Sequence, residues 1–340
     1  MISLKDIDKK EAESQLDPEI LSAIKNIKKE WQLEHTISFT TSGSTGNAKH
    51  ISFPKSAVQQ SAEITAKAFE LGPGSLCLCP LHPQYVAGKM MLLRAWHLDL
   101  DLWVCNPSNF TEALKNKSFH FVPLVPAQLE SLLNLEEIIW PEKILLGGAP
   151  LSPSLRRSLG ELRAPTSIYE GYGMTESLTH LALRQIHPYF EDYFQPLEPF
   201  SIEKSPENTL RFKAPHLGDS WINTTDLVAF NDAGGFKILG RADFIINSGG
   251  HKINPLEVEA LLAELINNRY FIYGLPDEML GEKAVLFIEG EEKQIDFEML
   301  KSFLSQKTHP YNVPKAICYL PKFAKSPGGK TLRKETATRN

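Results

Sequence analysis

The sequence predicts an α/β protein with a large layered N-terminal domain, a β-rich edge, and a small α+β C-terminal lid domain. Three observations support this prediction. Strand-like and helix-like hydrophobic patterns alternate over roughly the first two thirds of the chain. Short strands punctuated by glycine turns follow at residues 223–246, and strands alternating with one helix fill residues 270–322. We place the boundary near Asp243, which gives domains of residues 1–242 and 243–340.

Length and composition restrict the classes of protein to consider. The chain has 340 residues, of which 42% are hydrophobic and 23% charged, enough for a sizeable core and two domains. Its net charge of -5 gives no electrostatic reason to expect a nucleic-acid partner. The first ten residues are charged, and no stretch is long and apolar enough to span a bilayer. We expect a cytoplasmic protein, either a monomer or a homodimer.

The N-terminal elements follow from hydrophobic spacing. An amphipathic helix is predicted over residues 18–31, with Ile20, Leu21, Ile24, Ile27 and Trp31 on its apolar face. Residues 36–40 alternate like a strand, a Gly/Ser/Thr run follows, and residues 58–69 restore a helical face, which together read as strand, loop and helix. Further strands are predicted around Cys77 and at residues 119–122, 143–146 and 167–169.

In the C-terminal part, a helix should begin at residue 255. Asn254 is typical of an N-cap, Pro255 of a first helical residue, and Glu257 of the return half of a capping box. The apolar stripe of this helix is Val258, Leu261, Leu262 and Leu265. The four cysteines, Cys77, Cys79, Cys105 and Cys318, lack the spacing of a zinc site, and we expect reduced, mostly buried thiols.

A run of small and hydroxyl residues suggests a phosphate-binding loop. Residues 40–49, T-T-S-G-S-T-G-N-A-K, combine glycines that permit close backbone approach, hydroxyl donors and one lysine. The Walker A pattern cannot be fitted to these residues, which disfavours an ordinary P-loop NTPase. Taken alone, the run suits a flexible polar turn equally well.

Four more clusters are weak individually. Residues 170–177, E-G-Y-G-M-T-E-S, offer an aromatic ring, glycines and a carboxylate that suits magnesium beside phosphates, although a turn with a solvated glutamate explains them as well. Residues 224–226 supply an aspartate for ribose hydroxyls, and residues 240–243 read G-R-A-D. Residues 325–333 present Lys330 beside glycines, a pattern that a basic solubilising tail would share.

Together and in this order, the five clusters resemble the core motifs of the adenylate-forming superfamily of acyl-CoA synthetases, adenylation domains and luciferases. The resemblance covers residues 40–333 and is most specific at T-S-G-S-T-G-x-x-K, Y-G-M-T-E and G-R-x-D-x-x-x-x-x-x-G-x-K-I-x-P-x-E-V-E. It implies an ATP-dependent enzyme that joins a small carboxylic acid to coenzyme A through an acyl-AMP, using Mg²⁺. The resemblance also implies a shortened N-terminal domain, because the phosphate loop begins near Thr40.

The family roles carry over to matching positions. Lys330, Lys49, Glu176 and Arg241 are implied to be catalytic, with Glu176 holding Mg²⁺ and Asp243 acting as the hinge of the lid. Ser248, Gly249, Gly250 and His251 are implied to admit CoA. The residues implied to bind ATP are Thr41, Ser42, Gly43, Ser44, Thr45, Gly46, Lys49, Gly147, Gly148, Ala149, Glu170, Gly171, Tyr172, Gly173, Thr175, Asp226, Arg241 and Lys330.

Within the superfamily the chain most resembles short o-succinylbenzoate–CoA ligases of menaquinone biosynthesis. Arg94 stands six residues after Gly88, as is typical of that ligase, and is implied to pair with a second substrate carboxylate. An arginine capping a helix end explains the same residue. Tyr85 and Gly171 are the other acid-site candidates, with Tyr85 replacing the usual family histidine, which His82 would supply from an earlier position. Ligases for other aryl or short-chain acids, and a catalytically silent nucleotide-binding protein, remain alternatives.

Overall fold

The computed structural model describes residues 1–41, 49–291, 295–325 and 331–338, and of Thr41 and Lys49 the backbone alone. Contacts divide the chain into two units. The first comprises Met1–Ile202, Phe212–Ile222 and Asp232–Gly235. The second comprises Glu203–Arg211, Asn223–Asn231 and Phe236–Asn340. This second unit takes in residues ahead of Asp243, and the boundary placed there stays a prediction.

The elements of the first unit alternate between strands and helices along the chain. Its strands are β1 (Ile2–Ser3), β2 (Thr36–Thr41), β3 (Lys49–Pro54), β4 (Leu76–Cys79), β5 (Asp101–Val104), β6 (Phe121–Leu124), β7 (Lys143–Leu146), β8 (Ser167–Gly173), β9 (His180–His187) and β10 (Gln195–Pro196). Its helices are α1 (Glu11–Gln15), α2 (Pro18–Leu33), α3 (Lys55–Phe69), α4 (Val86–Leu98), α5 (Phe110–Asn116), α6 (Pro126–Leu133) and α7 (Pro153–Glu161).

Eight of these strands form one sheet in the order β1-β5-β4-β6-β7-β8-β9-β10. The five strands from β5 to β8 in that order are parallel, and at the two edges the pairs β1–β5, β8–β9 and β9–β10 are antiparallel. Alternate residues of a strand face opposite sides of the sheet, so Cys77 and Phe121 enter one core and Leu78 and Val122 the other. The predicted layered α/β class is confirmed.

The predicted helix at residues 18–31 is confirmed as α2, and all five residues of its apolar face are buried. The prediction of strand, loop and helix for residues 36–69 missed one strand. β3 follows the loop and pairs antiparallel with β2, from Thr36 opposite Pro54 to Thr41 opposite Lys49. The alternation of half-buried Ile51 and Phe53 with exposed neighbours was the available signal.

The remaining strands lie further along the chain: β11 (Ser201–Lys204), β12 (Thr209–Ala214), β13 (Gly218–Phe230), β14 (Phe236–Arg241), β15 (Ile246–Ser248), β16 (His251–Ile253), β17 (Tyr270–Asp277), β18 (Gly281–Glu289) and β19 (Ala316–Leu320). The remaining helices are α8 (Pro255–Leu262), α9 (Phe297–Lys307) and α10 (Arg333–Ala337). β11 to β14 form a four-stranded sheet, in which β13 is longer than the short strands predicted there.

The second unit contains a five-stranded sheet in the order β16-β15-β18-β17, with β19 paired parallel to β18. Its core includes apolar residues of α8, α9 and these strands. Asn254 caps α8 by accepting from the Leu256 amide at 3.3 Å, as predicted. The predicted capping box is different in detail, because Glu257 accepts from the Asn254 side chain at 3.0 Å. No helix among the described residues is long and apolar enough to cross a membrane.

Candidate active site

The glycine and aromatic clusters predicted around adenine meet at the carboxyl edge of the large sheet. β7 and β8 are parallel with Leu146 opposite Glu170, so Gly147, Gly148 and Ala149 follow β7 beside the end of β8. Gly148 has φ of +87°, a conformation that glycine adopts without strain, and a Cβ on Gly147 would meet no atom within 4 Å. Ligands of open α/β sheets bind at this edge, where backbone stays accessible.

Glu170 makes a contact that its motif did not predict. Nε and Nη2 of Arg184 donate to its Oε2 at 2.8 and 2.6 Å, and the two residues lie opposite each other on β8 and β9. The Arg184 guanidinium also lies 4.5 Å from the centre of the Phe194 ring, and Tyr172 packs against that ring at 5.9 Å. Arg184 therefore neutralises the Glu170 carboxylate and fixes this edge of the sheet.

The segment after β8 folds back onto the start of β9. A Cβ on Gly173 would lie 1.9 Å from the carbonyl oxygen of Thr179, so glycine alone fits there. The buried hydroxyl of Ser177 lies 2.9 Å from the Met174 carbonyl and 2.5 Å from that of Thr179. This close packing fixes the turn Thr175–Ser177 at the sheet edge and places Thr179 against the first unit's interior.

Glu176 lies on this turn and is half-buried. Among the residues that the structure describes, no group of three or more His, Cys, Asp or Glu side chains could hold a metal ion. Magnesium commonly binds through one or two carboxylates, with substrate phosphates and water completing the shell. A single carboxylate beside the predicted phosphate site fits that chemistry, and Glu176 would hold the ion and neutralise phosphate charge.

Arg94 lies inside the core, on a helix that is buried on nearly every side. Its side chain is on α4 among Met90, Met91, Leu92 and Leu93, and the residue is 2% exposed. Nη2 donates to Thr179 Oγ1 at 3.2 Å, whereas the buried Nε has no hydrogen-bond partner among the described residues. No described carboxylate forms an ion pair with it. A helix-capping role is excluded, because Arg94 lies within α4 and makes none of that helix's capping contacts.

The groups around Arg94 do not neutralise it. Burial lowers the pKa of Arg94 to about 10, so the guanidinium remains a cation at neutral pH. Burial raises the pKa of Cys77 to about 12 and that of Cys79 to about 11, so both thiols stay neutral. Burial and the charge of Arg94 lower the pKa of His180 to about 3, and its Nε2 lies 3.4 Å from Thr65 Oγ1. Arg94 is therefore a buried charge set among neutral partners.

Tyr85 and His82 lie together at the start of α4. Tyr85 is the N-cap residue of the helix, and its ring centre lies 5.7 Å from that of His82. A Cβ on Gly88 would lie 2.3 Å from the His82 carbonyl oxygen, so this glycine lets the helix pack directly on the preceding loop. Both rings therefore belong to the loop after β4, on the same sheet edge as the clusters after β7 and β8.

The second unit brings Asp226 and Arg241 together, opposite each other on β13 and β14. The guanidinium of Arg241 donates from Nε and Nη2 to both oxygens of Asp243, at 2.8 and 2.7 Å. Burial raises the pKa of Asp243, but the hydrogen bonds and charge of Arg241 outweigh burial and hold it below its ordinary value. Arg241 is thus fixed by the predicted hinge residue itself.

The predicted CoA-access residues form the tight turn between β15 and β16. Gly249 and Gly250 have φ of +57° and +82°, and Ser248 pairs with His251 across the turn. Two positive φ values are typical of two-residue hairpin loops. The exposed His251 ring stacks on Tyr311 with centres 3.6 Å apart, a contact that sequence reasoning missed because the residues are distant along the chain.

Several predicted residues lie outside the described part of the chain. They are Ser42, Gly43, Ser44, Thr45, Gly46 and Lys330, and for Thr41 and Lys49 the side chains are likewise not described. The backbone of Thr41 and Lys49 closes the β2–β3 pair. The predicted roles of all these residues remain predictions.

Comparisons with known proteins bear on the family. The model of the AMP-binding enzyme family matches residues 4–198. A solved acyl-CoA synthetase (AMP-forming)/AMP-acid ligase II-like protein from Dyadobacter fermentans is 31% identical, with 97% of each chain covered and a TM-score of 0.62. The chain belongs to the AMP-binding enzyme family. It is an adenylate-forming acid–CoA ligase.

Two further similar proteins of this family carry more specific names. The 2-succinylbenzoate–CoA ligase of Listeria monocytogenes is 23% identical, and the match covers 95% of this chain and 73% of that protein. The solved o-succinylbenzoate CoA synthetase of Bacillus subtilis, in complex with the acyl-adenylate OSB-AMP, is 20% identical. That match covers 89% of this chain and 69% of the other, with a TM-score of 0.76, and it supports the fold of the AMP-binding enzyme family.

Proposed function

We propose that this ligase activates o-succinylbenzoate, an aromatic acid with two carboxylates. The observation that carries the proposal is Arg94, a core guanidinium that is 2% exposed and pairs with no described carboxylate. A buried charge without a counter-ion is costly, and a bound anion would remove that cost. A dicarboxylic acid would offer one carboxylate to ATP and the other to Arg94.

The chemistry of the guanidinium favours a carboxylate at this position. Arginine presents a planar set of donors that matches the two oxygens of a carboxylate, and its Nε is still free to donate. The neutral thiols of Cys77 and Cys79 and the neutral imidazole of His180 leave the field of Arg94 undiminished. Gly171 and Tyr85 are proposed to border the aromatic part of the acid.

Relatives support this choice of acid. The ligases of Listeria monocytogenes and of Lactococcus lactis, 23% and 25% identical to the chain, are both named 2-succinylbenzoate–CoA ligase. Identity at this level leaves the acid open, so the proposal depends on Arg94.

The first half-reaction would join two anions, and the proposed site supplies the opposing charge. The acid's carboxylate attacks the α-phosphate of ATP and pyrophosphate leaves. Lys49 is proposed to neutralise the β- and γ-phosphates, and Lys330 to meet the α-phosphate and the attacking carboxylate. Mg²⁺, when held by Glu176, would supply further positive charge to the phosphates.

Binding of the nucleoside is proposed to use the residues that the motifs implied. Gly147, Gly148, Ala149, Glu170 and Tyr172 would border adenine. Asp226 would accept from the ribose hydroxyls, and Arg241, which Asp243 orients, would donate to the ribose. Residues 42–46 are proposed to donate to phosphate oxygens, and Gly173 and Thr175 are proposed to contact the nucleotide as well.

In the second half-reaction, the thiol of CoA attacks the acyl carbon and AMP leaves. Ser248, Gly249, Gly250 and His251 are proposed to admit the pantetheine arm after the lid turns about Asp243. Moving one lysine away between the steps would let the same site serve two reactions.

Acid-dependent exchange of pyrophosphate into ATP tests this proposal. Purified protein is assayed with o-succinylbenzoate, benzoate, 4-coumarate and acetate, each over a range of concentrations. We expect kcat/KM for o-succinylbenzoate to exceed that for benzoate by about 100-fold or more, because benzoate has no second carboxylate to pair with Arg94. Faster exchange with a monocarboxylic acid would contradict the choice of acid, and no exchange with any acid would contradict the activity.

A further inference from the structure

The described residues on either side of Lys330 are fixed to each other. Lys325 and Thr331 form an antiparallel bridge, and the Leu332 amide donates to the Ala324 carbonyl at 2.8 Å. The buried hydroxyl of Thr336 accepts from the Ala324 amide at 3.0 Å and lies 2.7 Å from the Leu332 carbonyl. The described residues 324–325 and 331–332 therefore form one joined base.

Arg333 anchors this base to the body of the unit. At the start of α10, its Nη1 and Nη2 donate to Oε1 and Oε2 of Glu259 at 2.7 and 2.8 Å. Glu259 lies on α8, is 9% exposed, and also accepts from the Ile272 amide of β17 at 2.8 Å. A bidentate pair fixes direction as well as distance, so the contact orients α10 relative to α8 and β17.

Two rings complete the environment of Arg333. Its guanidinium lies 5.2 Å from the centre of the Phe244 ring and 5.6 Å from that of Phe271. Arg241 lies 5.1 Å from the same Phe244 ring, and Asp243 binds Arg241. Phe244 thus connects Arg333 to the residues around the predicted hinge.

We propose that Glu259 and Arg333 are positioning residues for adenylate formation, because they fix the described backbone that follows Lys330 in the chain. The inference rests on the proposed function of Lys330. Arg333 follows Lys330 by three residues, a stretch of chain that spans at most about 10 Å, so a loosened anchor acts on backbone close to the lysine in the sequence. A misplacement of about 1 Å at a reacting centre can cost about 100-fold in rate, so the anchor controls chemistry that neither residue touches.

Separate assays of the two half-reactions test the proposal. Exchange of pyrophosphate into ATP reports adenylate formation, which needs Lys330. Transfer of the acyl group from synthetic o-succinylbenzoyl-AMP to CoA reports the second step, which does not. In Glu259→Gln we expect exchange to slow by roughly 10-fold or more, with KM for ATP little changed and acyl transfer within about twofold of wild type.

Matched variants separate positioning from stability. Glu264 forms an exposed ion pair with Lys307 in the same unit, and Glu264→Gln should leave both half-reactions unchanged. The double variant Glu259→Gln/Arg333→Gln should match the slower single variant, because both changes remove one ion pair. Should Glu259→Gln fail to fold, Thr336→Val removes the Ala324 contact instead and should slow exchange selectively.

Equal losses in both half-reactions would overturn the proposal, since a structural role lowers the amount of folded enzyme for each. Wild-type exchange in Glu259→Gln would overturn it as well. If the wild type shows no exchange, or Lys330→Ala exchanges normally, the function proposed for the site fails instead. By contrast, if Lys330→Ala slows exchange and Glu259→Gln does not, the proposed function stands and the positioning role of Glu259 fails.

Discussion

Two arginines with little solvent exposure, one in each unit, differ in what surrounds them. Arg94 in the first unit lies among apolar residues and neutral thiols, and its described hydrogen-bond partner is Thr179, with none described for Nε. Arg333 in the second unit is bound by both oxygens of Glu259. Arg94 is 2% exposed and the Arg333 side chain 17%, and the two arginines serve different purposes. A paired arginine stabilises the position of its own unit's elements, whereas an unpaired one can still pair with a bound anion.

The largest expected difference is in stability. Arg333→Met leaves the buried Glu259 without its ionic partner and should lower the free energy of unfolding by about 3 kcal/mol. Arg94→Met removes an uncompensated charge and should leave that energy unchanged or raise it. Urea unfolding at pH 8 measures both, and Arg184→Met is the control for a paired arginine in the first unit. Equal destabilisation by Arg94→Met and Arg333→Met would remove the distinction.

The cost of Arg333→Met should also depend on pH. Burial raises the pKa of Glu259, and loss of Arg333 raises it further because a lowering charge is removed. A carboxyl that protonates at higher pH in the folded state favours folding as pH falls. The deficit of the variant should therefore shrink between pH 8 and pH 5, and a constant deficit would show that Glu259 is not its source.

Lys330, three residues before Arg333, should matter for one chemical step. Lys330→Ala removes the positive charge proposed for the α-phosphate and should slow adenylate formation by about 100-fold or more. Pyrophosphate release in single-turnover assays measures this step. Acyl transfer from synthetic acyl-AMP is the control, and wild-type pyrophosphate release in the variant would contradict the role of the lysine.

The surroundings of Arg94 depend on a glycine. A Cβ on Gly173 would overlap the Thr179 carbonyl, so Gly173→Ala must displace Thr179 from Arg94. We expect a loss of about 2 kcal/mol in stability and a raised KM for the acid. Gly147→Ala is the stability control, since its Cβ would meet no atom within 4 Å. Equal stability of the two variants would contradict the overlap.

His180, beside Arg94, should make stability fall in mild acid. Burial and Arg94 hold the folded-state pKa near 3, whereas an unfolded histidine titrates at about 6.5. The unfolded chain therefore binds more protons below about pH 6.5, and stability should fall by about 1.4 kcal/mol per pH unit there. His180→Gln should lessen this slope in urea unfolding between pH 7 and pH 5. If the stability of His180→Gln and of wild type fell equally with pH, a group other than His180 would cause the loss.

Local signals in the sequence predicted the elements of the fold well. The apolar spacing of residues 18–31 gave α2, and the run at residues 143–146 gave β7. Motif order identified the family, and the position of Arg94 after Gly88 singled out that residue. These predictions needed only neighbours along the chain, where periodicity and capping are visible.

Contacts between distant residues escaped prediction. Arg333 and Glu259 are 74 residues apart, and Arg94 and Thr179 are 85 apart. The sequence shows that Arg94 is a cation. Only the folded core shows that no described carboxylate lies close enough to pair with it. Likewise, Glu170 has the family spacing for adenine, yet only strand pairing reveals that Arg184 binds its carboxylate.

The central claim is that Arg94 binds the second carboxylate of the acid, and its coupling to that carboxylate tests it most directly. Pyrophosphate exchange is measured for wild type and Arg94→Met, each with o-succinylbenzoate and with benzoate. We predict that the variant loses about 100-fold in kcat/KM with o-succinylbenzoate. With benzoate, which lacks the second carboxylate, it should stay within about threefold of wild type. A loss by the same factor with both acids would contradict the claim.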